Sequence, residues 1–285
     1  MLLIPNRLLT EDFVCLFHHD LHCTFLKKKL DCDLHGRQSY VVRHAVSIVL
    51  KGTQHITGEQ GFSVSIKAGE LGFIPKGLYT VTDLVSDEGA FESYHLYLDT
   101  EYFDKLKEEM KLGEPAKTTP NAIPVPPLLP AFMASLDAMY DGKYQAPFLF
   151  DAKVREFVGI LLAHKGEAWL ASLFRMYQKP PKANLQAFMQ AYFDKPFSIA
   201  DYAFLTGRSI SSFNREFRSK FDTSPRQWLI KHRLGKAKDL LTEQRFPVSE
   251  VADRVGFNSV SHFIKSFKEA YGRTPGEMFD SKPIL

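Results

Sequence analysis

Two groups of side chains in this chain are of types that do chemistry. Within residues 1–37 lie three thiols, Cys15, Cys23 and Cys32, and four imidazoles, His18, His19, His22 and His35. Such a set can ligate zinc or enter thiol redox chemistry. The thiols lack C-x-x-C spacing, so local geometry does not pair them. In a reducing compartment an unpaired cysteine behaves as a small apolar residue. The second group lies near the other end. Ser211, Asn214, Arg215 and Arg218 occupy one stretch; Ser261, His262, Lys265 and Lys268 occupy another about fifty positions on. Hydroxyl, amide, imidazole and cationic groups at helical spacing are donors and acceptors suited to base edges and phosphates.

The elements that would carry the second group occur twice. Arg208–Leu229, RSISSFNREFRSKFDTSPRQWL, returns in register as Asn258–Phe279, NSVSHFIKSFKEAYGRTPGEMF. Phe213 answers to Phe263, Arg215 to Lys265, Phe217 to Phe267, and Ser224-Pro225 to Thr274-Pro275. Two copies are too few for a solenoid and point to two similar modules. Upstream of each lies a short amphipathic pattern, Ile199, Tyr202 and Ala203 in one and Val248, Val251 and Ala252 in the other. That i, i+3, i+4 spacing predicts a helix. Ser198 with Asp201 suits a capping box at the first. Gly207 and Gly256 follow as sites for a left-handed turn, and a second helix begins near Ser209 and near Ser259. Helix, glycine turn, helix is the helix-turn-helix pattern. The phenylalanines should face inward and the polar residues outward. Between the copies, Ser224-Pro225 starts a helix that runs to Leu241, roughly 25 Å at 1.5 Å per residue. Such a rod would hold two reading helices about one DNA turn, ~34 Å, apart.

With these motifs in view, the carboxy-terminal stretch resembles the DNA-binding domain of the AraC/XylS family of bacterial transcription regulators. The resemblance rests on Ser224–Leu241, Val248–Phe257, Ser261–Lys268 and Gly272–Pro275, and covers about 184–279. It implies that Ser211, Asn214 and Arg215, with His262 and Lys265, read bases. Ser261 joins them on the second helix, and Arg208, Arg218, Arg226 and Lys268 are candidates for phosphate contacts. Two positions depart from the family pattern: Asp222 stands where glycine is usual, and Pro247 where a capping residue is usual.

At 285 residues the chain is long enough for two domains. No apolar run approaches the ~20 residues that span a bilayer, and the first residues lack a signal-peptide pattern. Residence in the cytoplasm, away from membranes, is expected. From Lys182 onward there are 17 Lys+Arg against 11 Asp+Glu, and before it 19 against 22. A basic module joined to a mildly acidic one suits nucleic-acid binding.

Residues 38–99 read as short β-branched runs separated by glycine turns, with Phe62, Val64 and Ile66 alternating with polar residues. A small barrel is expected. Within it Gly69–Gly77, GELGFIPKG, resembles the cupin-like amino-terminal domain of the same regulators. His44, His55 and His95 are scattered without an H-x-H pair, which disfavours a catalytic cupin. Glu101–Leu112 reads as a charged helix, 113–130 as a proline-rich loop, and Leu129–Tyr140, Phe148–His164 and Ala168–Tyr177 as apolar helices. These pack on the barrel or build a subunit interface. The strands together with residues 149–162 resemble the amino-terminal domains of type III secretion activators, where self-association or a regulatory protein is the usual role.

The resulting expectation is an α+β chain of two domains. A cupin-like regulatory or dimerisation domain fills 1–178, with its barrel at 38–99 and helices at 101–178. A linker, 179–183, leads to an all-α double helix-turn-helix domain at 184–285. The expected function is a sequence-specific transcription regulator, an activator, with no enzymatic activity and no cofactor. Its partners would be double-stranded DNA, RNA polymerase, a small-molecule or protein effector and a second copy of itself. The alternative is a metal- or redox-responsive regulator, or a cupin-type metalloenzyme, using the amino-terminal Cys/His cluster.

Overall fold

The computed structural model describes residues 2–19, 22–58, 61–115, 122–139, 147–176, 182–244 and 246–280. The chain divides into two compact units, Met1–Gln178 and Lys179–Leu285.

In the first unit two sheets face one another. Strands β1 (Leu2–Ile4), β4 (Leu34–Val41), β9 (Gly77–Leu84), β6 (Thr53–Gly58) and β7 (Ser63–Lys67) form a five-stranded sheet in that order. Strands β11 (Ala122–Pro124), β8 (Glu70–Ile74), β5 (His44–Lys51), β10 (Phe91–Leu98), β3 (Cys23–Leu30) and β2 (Val14–His19) form a six-stranded one. The central strand β10 pairs along its length with β3, from Phe91 opposite Leu30 to Leu98 opposite Cys23. The period-2 side-chain alternation explains the layers. Leu26, Leu30, Ala45, Val49, Phe91 and Tyr97 turn toward the five-stranded sheet, where Ile4, Val41, Ile56, Val64, Ile66 and Val81 meet them. Phe25, Val46, Ile48, Tyr94, Leu96 and Leu98 point the other way. That outer face is covered by helices α1 (Thr100–Met110), α2 (Leu129–Met139), α3 (Pro147–Lys165) and α4 (Glu167–Met176), through Leu106, Phe132, Leu136, Phe157, Leu161, Leu170 and Leu173. A sheet covered on both faces reads as nearly continuous apolar sequence, and a half-covered one alternates. β7 is of the second kind, with Val64 and Ile66 buried between exposed neighbours.

The sheets begin well before residue 38. Four strands lie within residues 2–41, and β11 lies inside the expected proline-rich loop. In β3 the strand pattern is masked by Lys28. CTFLKKKL looks too cationic for a core strand, yet Lys28 is buried and its ammonium stands 2.5 Å from the buried Asp83 carboxylate. Arg37 donates to the same oxygen at 2.5 Å and Gln54 to the other at 2.7 Å. Burial pulls the Lys28 ammonium down to about 8, against the pull of Asp83. Burial pushes the Asp83 carboxyl up, but Lys28, Gln54 and Arg37 outweigh it and hold it below the ordinary carboxylate range. Lys28, Arg37 and Gln54, with His95, line a cavity of about 30 Å³ between the sheets.

The second unit is helical: α5 (Leu185–Tyr192), α6 (Ile199–Leu205), α7 (Ile210–Phe221), α8 (Pro225–Asp239), α9 (Val248–Arg254), α10 (Val260–Tyr271) and α11 (Pro275–Asp280). Helix α8 continues through the expected end at Leu241, with its last turn widened into a π-turn over Leu240–Gln244. Most of the expected linker, 179–181, lies outside the described residues. Among the described residues no helix is long and apolar enough to cross a membrane.

Candidate nucleic-acid interface

Each half of the second unit is built by the same local rules. Ser198 and Asp201 form a full capping box at the start of α6. Helix α9 begins at Pro247, which offers no side-chain cap. Gly207 and Gly256 then turn the chain at φ +70° and +81°, a region that disfavours a Cβ. Ser209 caps α7 on the Ser212 amide, and Ser259 caps α10 on that of His262. Phe213, Phe217, Phe263 and Phe267 are fully buried, each pair one turn apart. Past each second helix the chain enters the left-handed region again, at Asp222 (φ +50°) and at Gly272 (φ +72°).

With the phenylalanines inward, the other faces of α7 and α10 are open. Ser211, Arg215 and Arg218 are exposed and Asn214 is half-buried. Ser261, His262, Lys265 and Lys268 are all exposed, as is Arg226 at the start of α8. The His262 ring packs near Phe257, with centroids 5.6 Å apart. Among the described residues no carboxylate lies within ion-pair distance of Arg215, Arg218, Arg226 or Lys265. A solvated cation whose charge is not cancelled locally is available to a phosphate or a base edge.

Arg208 does not join them, and its expected place as a backbone contact is corrected. Its side chain is buried, with both Nε and Nη2 donating to the Glu216 carboxylate at 2.8 Å. Nη1 donates to the carbonyls of Thr206 and Ala183. Hydrogen bonds from Arg208, with those of Lys220 behind them, hold the Glu216 carboxyl down to about 2. The guanidinium that follows the turn glycine is thus spent on fixing α7.

A residue outside the expected set does the corresponding work for the whole unit. Arg233, on α8, donates from Nε to Phe193 O (2.7 Å), from Nη2 to Lys195 O (2.5 Å) and from Nη1 to Gly256 O (2.8 Å). Lys236, one turn on, pairs with Asp194 at 2.5 Å. The connecting helix therefore grips the end of α5 and the turn of the second module at once. A Cβ at Gly256 would stand 2.8 Å from the carbonyl oxygens of both Asp194 and Lys195, so only glycine fits that approach. The visible signal for Arg233 was a cation inside an otherwise apolar stripe with Leu229, Leu234 and Ala237.

The amino-terminal thiols are dispersed. Cys23 is buried among the helices packed on the six-stranded sheet, while Cys15 and Cys32 are exposed. His22 and Asp99 lie 2.6 Å apart, and His35 is 3.5 Å from Asp33. His18 and His22 are four apart, a spacing that pairs ligands on a helix, but β2 is a strand; the side chains of His18 and His19 lie outside the described residues. Among the described residues no three His, Cys, Asp or Glu side chains converge on a metal-sized site. His44 and His95 are both buried in the first unit.

Two helix-turn-helix modules carried by one connecting helix define a double helix-turn-helix protein. Residues 202–281 match a helix-turn-helix domain, and residues 44–173 match the ExsA N-terminal regulatory domain. The two matches fall one in each unit, and the β-rich then helical order expected from the resemblance to the AraC/XylS family is the one observed. The HTH-type transcriptional regulator ExsA of Pseudomonas aeruginosa is 24% identical over 218 residues, covering 75% of this chain and 78% of that protein. The virulence regulon transcriptional activator VirF of Yersinia enterocolitica is 25% identical over 164 residues, covering 55% of this chain and 60% of VirF. Among solved structures, unsaturated fatty acid bound ToxT from Vibrio cholerae aligns over 92% of this chain and 96% of its own, at 11% identity and a TM-score of 0.41.

Proposed function

We propose that this chain is a sequence-specific transcriptional activator that lays α7 and α10 in consecutive major grooves of one duplex. The observation that carries the reading is the repeat itself. The same face of two equivalent helices presents hydroxyls, an amide, an imidazole and uncancelled cations, while the opposite face is sealed by phenylalanine. A major groove about 12 Å wide admits one helix. Arg215 and Lys265 contact base edges or adjacent phosphates, Ser211, Asn214, Ser261 and His262 read neighbouring bases, and Arg218, Arg226 and Lys268 hold the phosphates. The activity is non-enzymatic and cytoplasmic, with RNA polymerase as the downstream partner.

The first unit supplies regulation through contact with another protein chain, either a second copy or a regulatory protein. Among the described residues, one cavity between the sheets and another under α3 and α4 offer about 30 and 20 Å³, room for a water molecule or two. The test is to titrate the full chain against duplexes enriched from random sequence and against bulk DNA over a range of salt. The reading requires a preference of about 10³-fold or more for the enriched duplex and a steep salt dependence. Equal affinity for both duplexes would refute it. A small molecule that raises the melting temperature of the first unit would overturn the protein-contact reading.

A further inference from the structure

Among the described residues four large hydrophobic side chains are exposed: Leu128, Ile210, Val260 and Ile264. Three of the four lie on the two second helices. Ile210 (52% exposed) and Val260 (40%) hold the same place, the first helical residue after the capping serines Ser209 and Ser259. Ile264 (36%) follows Val260 by one turn, where the first module has Asn214. Capping requires nothing apolar at that first position, and an aliphatic side chain left in water there contributes no burial to folding. The recurrence in both modules is therefore not explained by the fold.

Their surroundings indicate what covers them. Ile210 adjoins Ser211 and, one turn on, Asn214 and Arg215; Val260 and Ile264 adjoin Ser261 and Lys265. These cations are uncancelled, so the surface around each aliphatic group is complementary to a polyanion and not to an apolar protein face. The apolar group on the major-groove face of a base pair is the C5-methyl of thymine. Side chains one helical turn apart stand about 5–6 Å from each other at Cβ, a separation that spans neighbouring base pairs ~3.4 Å apart along the axis.

We propose that Ile210, and the pair Val260 and Ile264, are specificity residues that pack on thymine methyl groups. The first module combines one methyl contact with an Asn214 hydrogen bond. The second reads a thymine-richer half-site through two aliphatic contacts. This rests on the DNA-binding reading above and adds to it which bases are preferred and by what chemistry.

The experiment uses the full chain and duplexes enriched from a random pool, with each thymine replaced singly by deoxyuridine. That change removes the methyl and leaves every hydrogen-bonding group in place. Each contacted methyl is expected to weaken wild-type binding about fourfold, at one position in the first half-site and at one or two in the second. Ile210→Ser should erase the uracil effect in the first half-site only, and Val260→Ser or Ile264→Ser in the second only, the pattern of a coupled pair. Sequence-selective binding that tolerates uracil at every position overturns the inference and leaves the DNA-binding reading intact. So does an Ile210→Ser variant that loses affinity equally on both duplexes, or an Ile264→Ser variant that changes only the oligomeric state. If no duplex is enriched at all, the DNA-binding reading fails and this inference fails with it.

Discussion

Replacing Arg233 by methionine keeps the length of the side chain and removes its guanidinium, and with it the grip of α8 on both modules. Three carbonyl oxygens, of Phe193, Lys195 and Gly256, lose a charged donor at 2.5–2.8 Å. A hydrogen bond to a charged group is worth about 1.5–3 kcal/mol when fully buried. Arg233 is half-buried and water can reach part of the site, so about 1 kcal/mol for each bond is a fair value and the total is about 3 kcal/mol. The assay is urea unfolding of the full chain carrying Trp169→Phe. The remaining tryptophan, Trp228, packs on Phe217 and His232 and reports the second unit alone. With a slope near 1.2 kcal/mol/M for a unit of this size, the midpoint should fall by about 2.5 M. Arg233→Lys, which reaches one carbonyl, should lie between. Because the grip also sets the spacing of the reading helices, the methionine variant should lose more affinity for an enriched duplex than for bulk DNA. A midpoint within about 0.3 M of the parent would refute the reasoning.

Three further outcomes follow from backbone geometry and burial. Asp222→Gly relieves a left-handed residue (φ +50°) that Gly272 occupies in the second module, and should raise stability by about 0.5–1 kcal/mol in the same Trp228 assay. Gly256→Ala and Gly272→Ala share a positive φ, but only the first would meet backbone, at 2.8 Å; the first should cost about 3 kcal/mol and the second about 1. The third concerns acid. Burial, reinforced by Lys76, pulls the His44 imidazole down to about 3, and burial, reinforced by Lys28, does the same to His95. Both then lie below the unfolded value near 6.5. Between those values the unfolded chain binds protons that the folded unit refuses, so stability is full above pH 6.5 and falls as pH drops. The two together should remove about 4 kcal/mol between pH 7 and pH 5, with the slope roughly halved in His95→Gln. Urea unfolding followed at Trp169, in a Trp228→Phe background, measures it.

What the sequence disclosed was whatever local spacing dictates. The i, i+4 phenylalanines, the capping serines, the turn glycines and the fifty-residue repeat place both reading helices to within a residue or two, because each is decided by neighbours a few positions away. Three cations were not legible for the opposite reason. Lys28 belongs in a core strand because Asp83 lies across the sheet interior. Arg208 is buried because Glu216 faces it from α7. Arg233 is a clamp because the end of α5, forty residues back, ends beside it. Such pairing leaves no periodic trace: Lys28 and Arg208 look like ordinary charged residues, and Arg233 differs only as a cation set inside an apolar stripe. Strand β3 stayed hidden for the same cause, with the exposed aliphatic pair Ile210 and Val260 visible only once the repeat was overlaid on accessibility.

The most direct measurement of the central claim is a base-resolution footprint of the full chain, repeated with Arg215→Ala and with Lys265→Ala. Two protected patches about 10 base pairs apart on one face of the duplex are expected. Each substitution should weaken a different patch and leave the other in place, as one helix per groove demands. A single patch, or two patches that fade together under either substitution, would contradict the account.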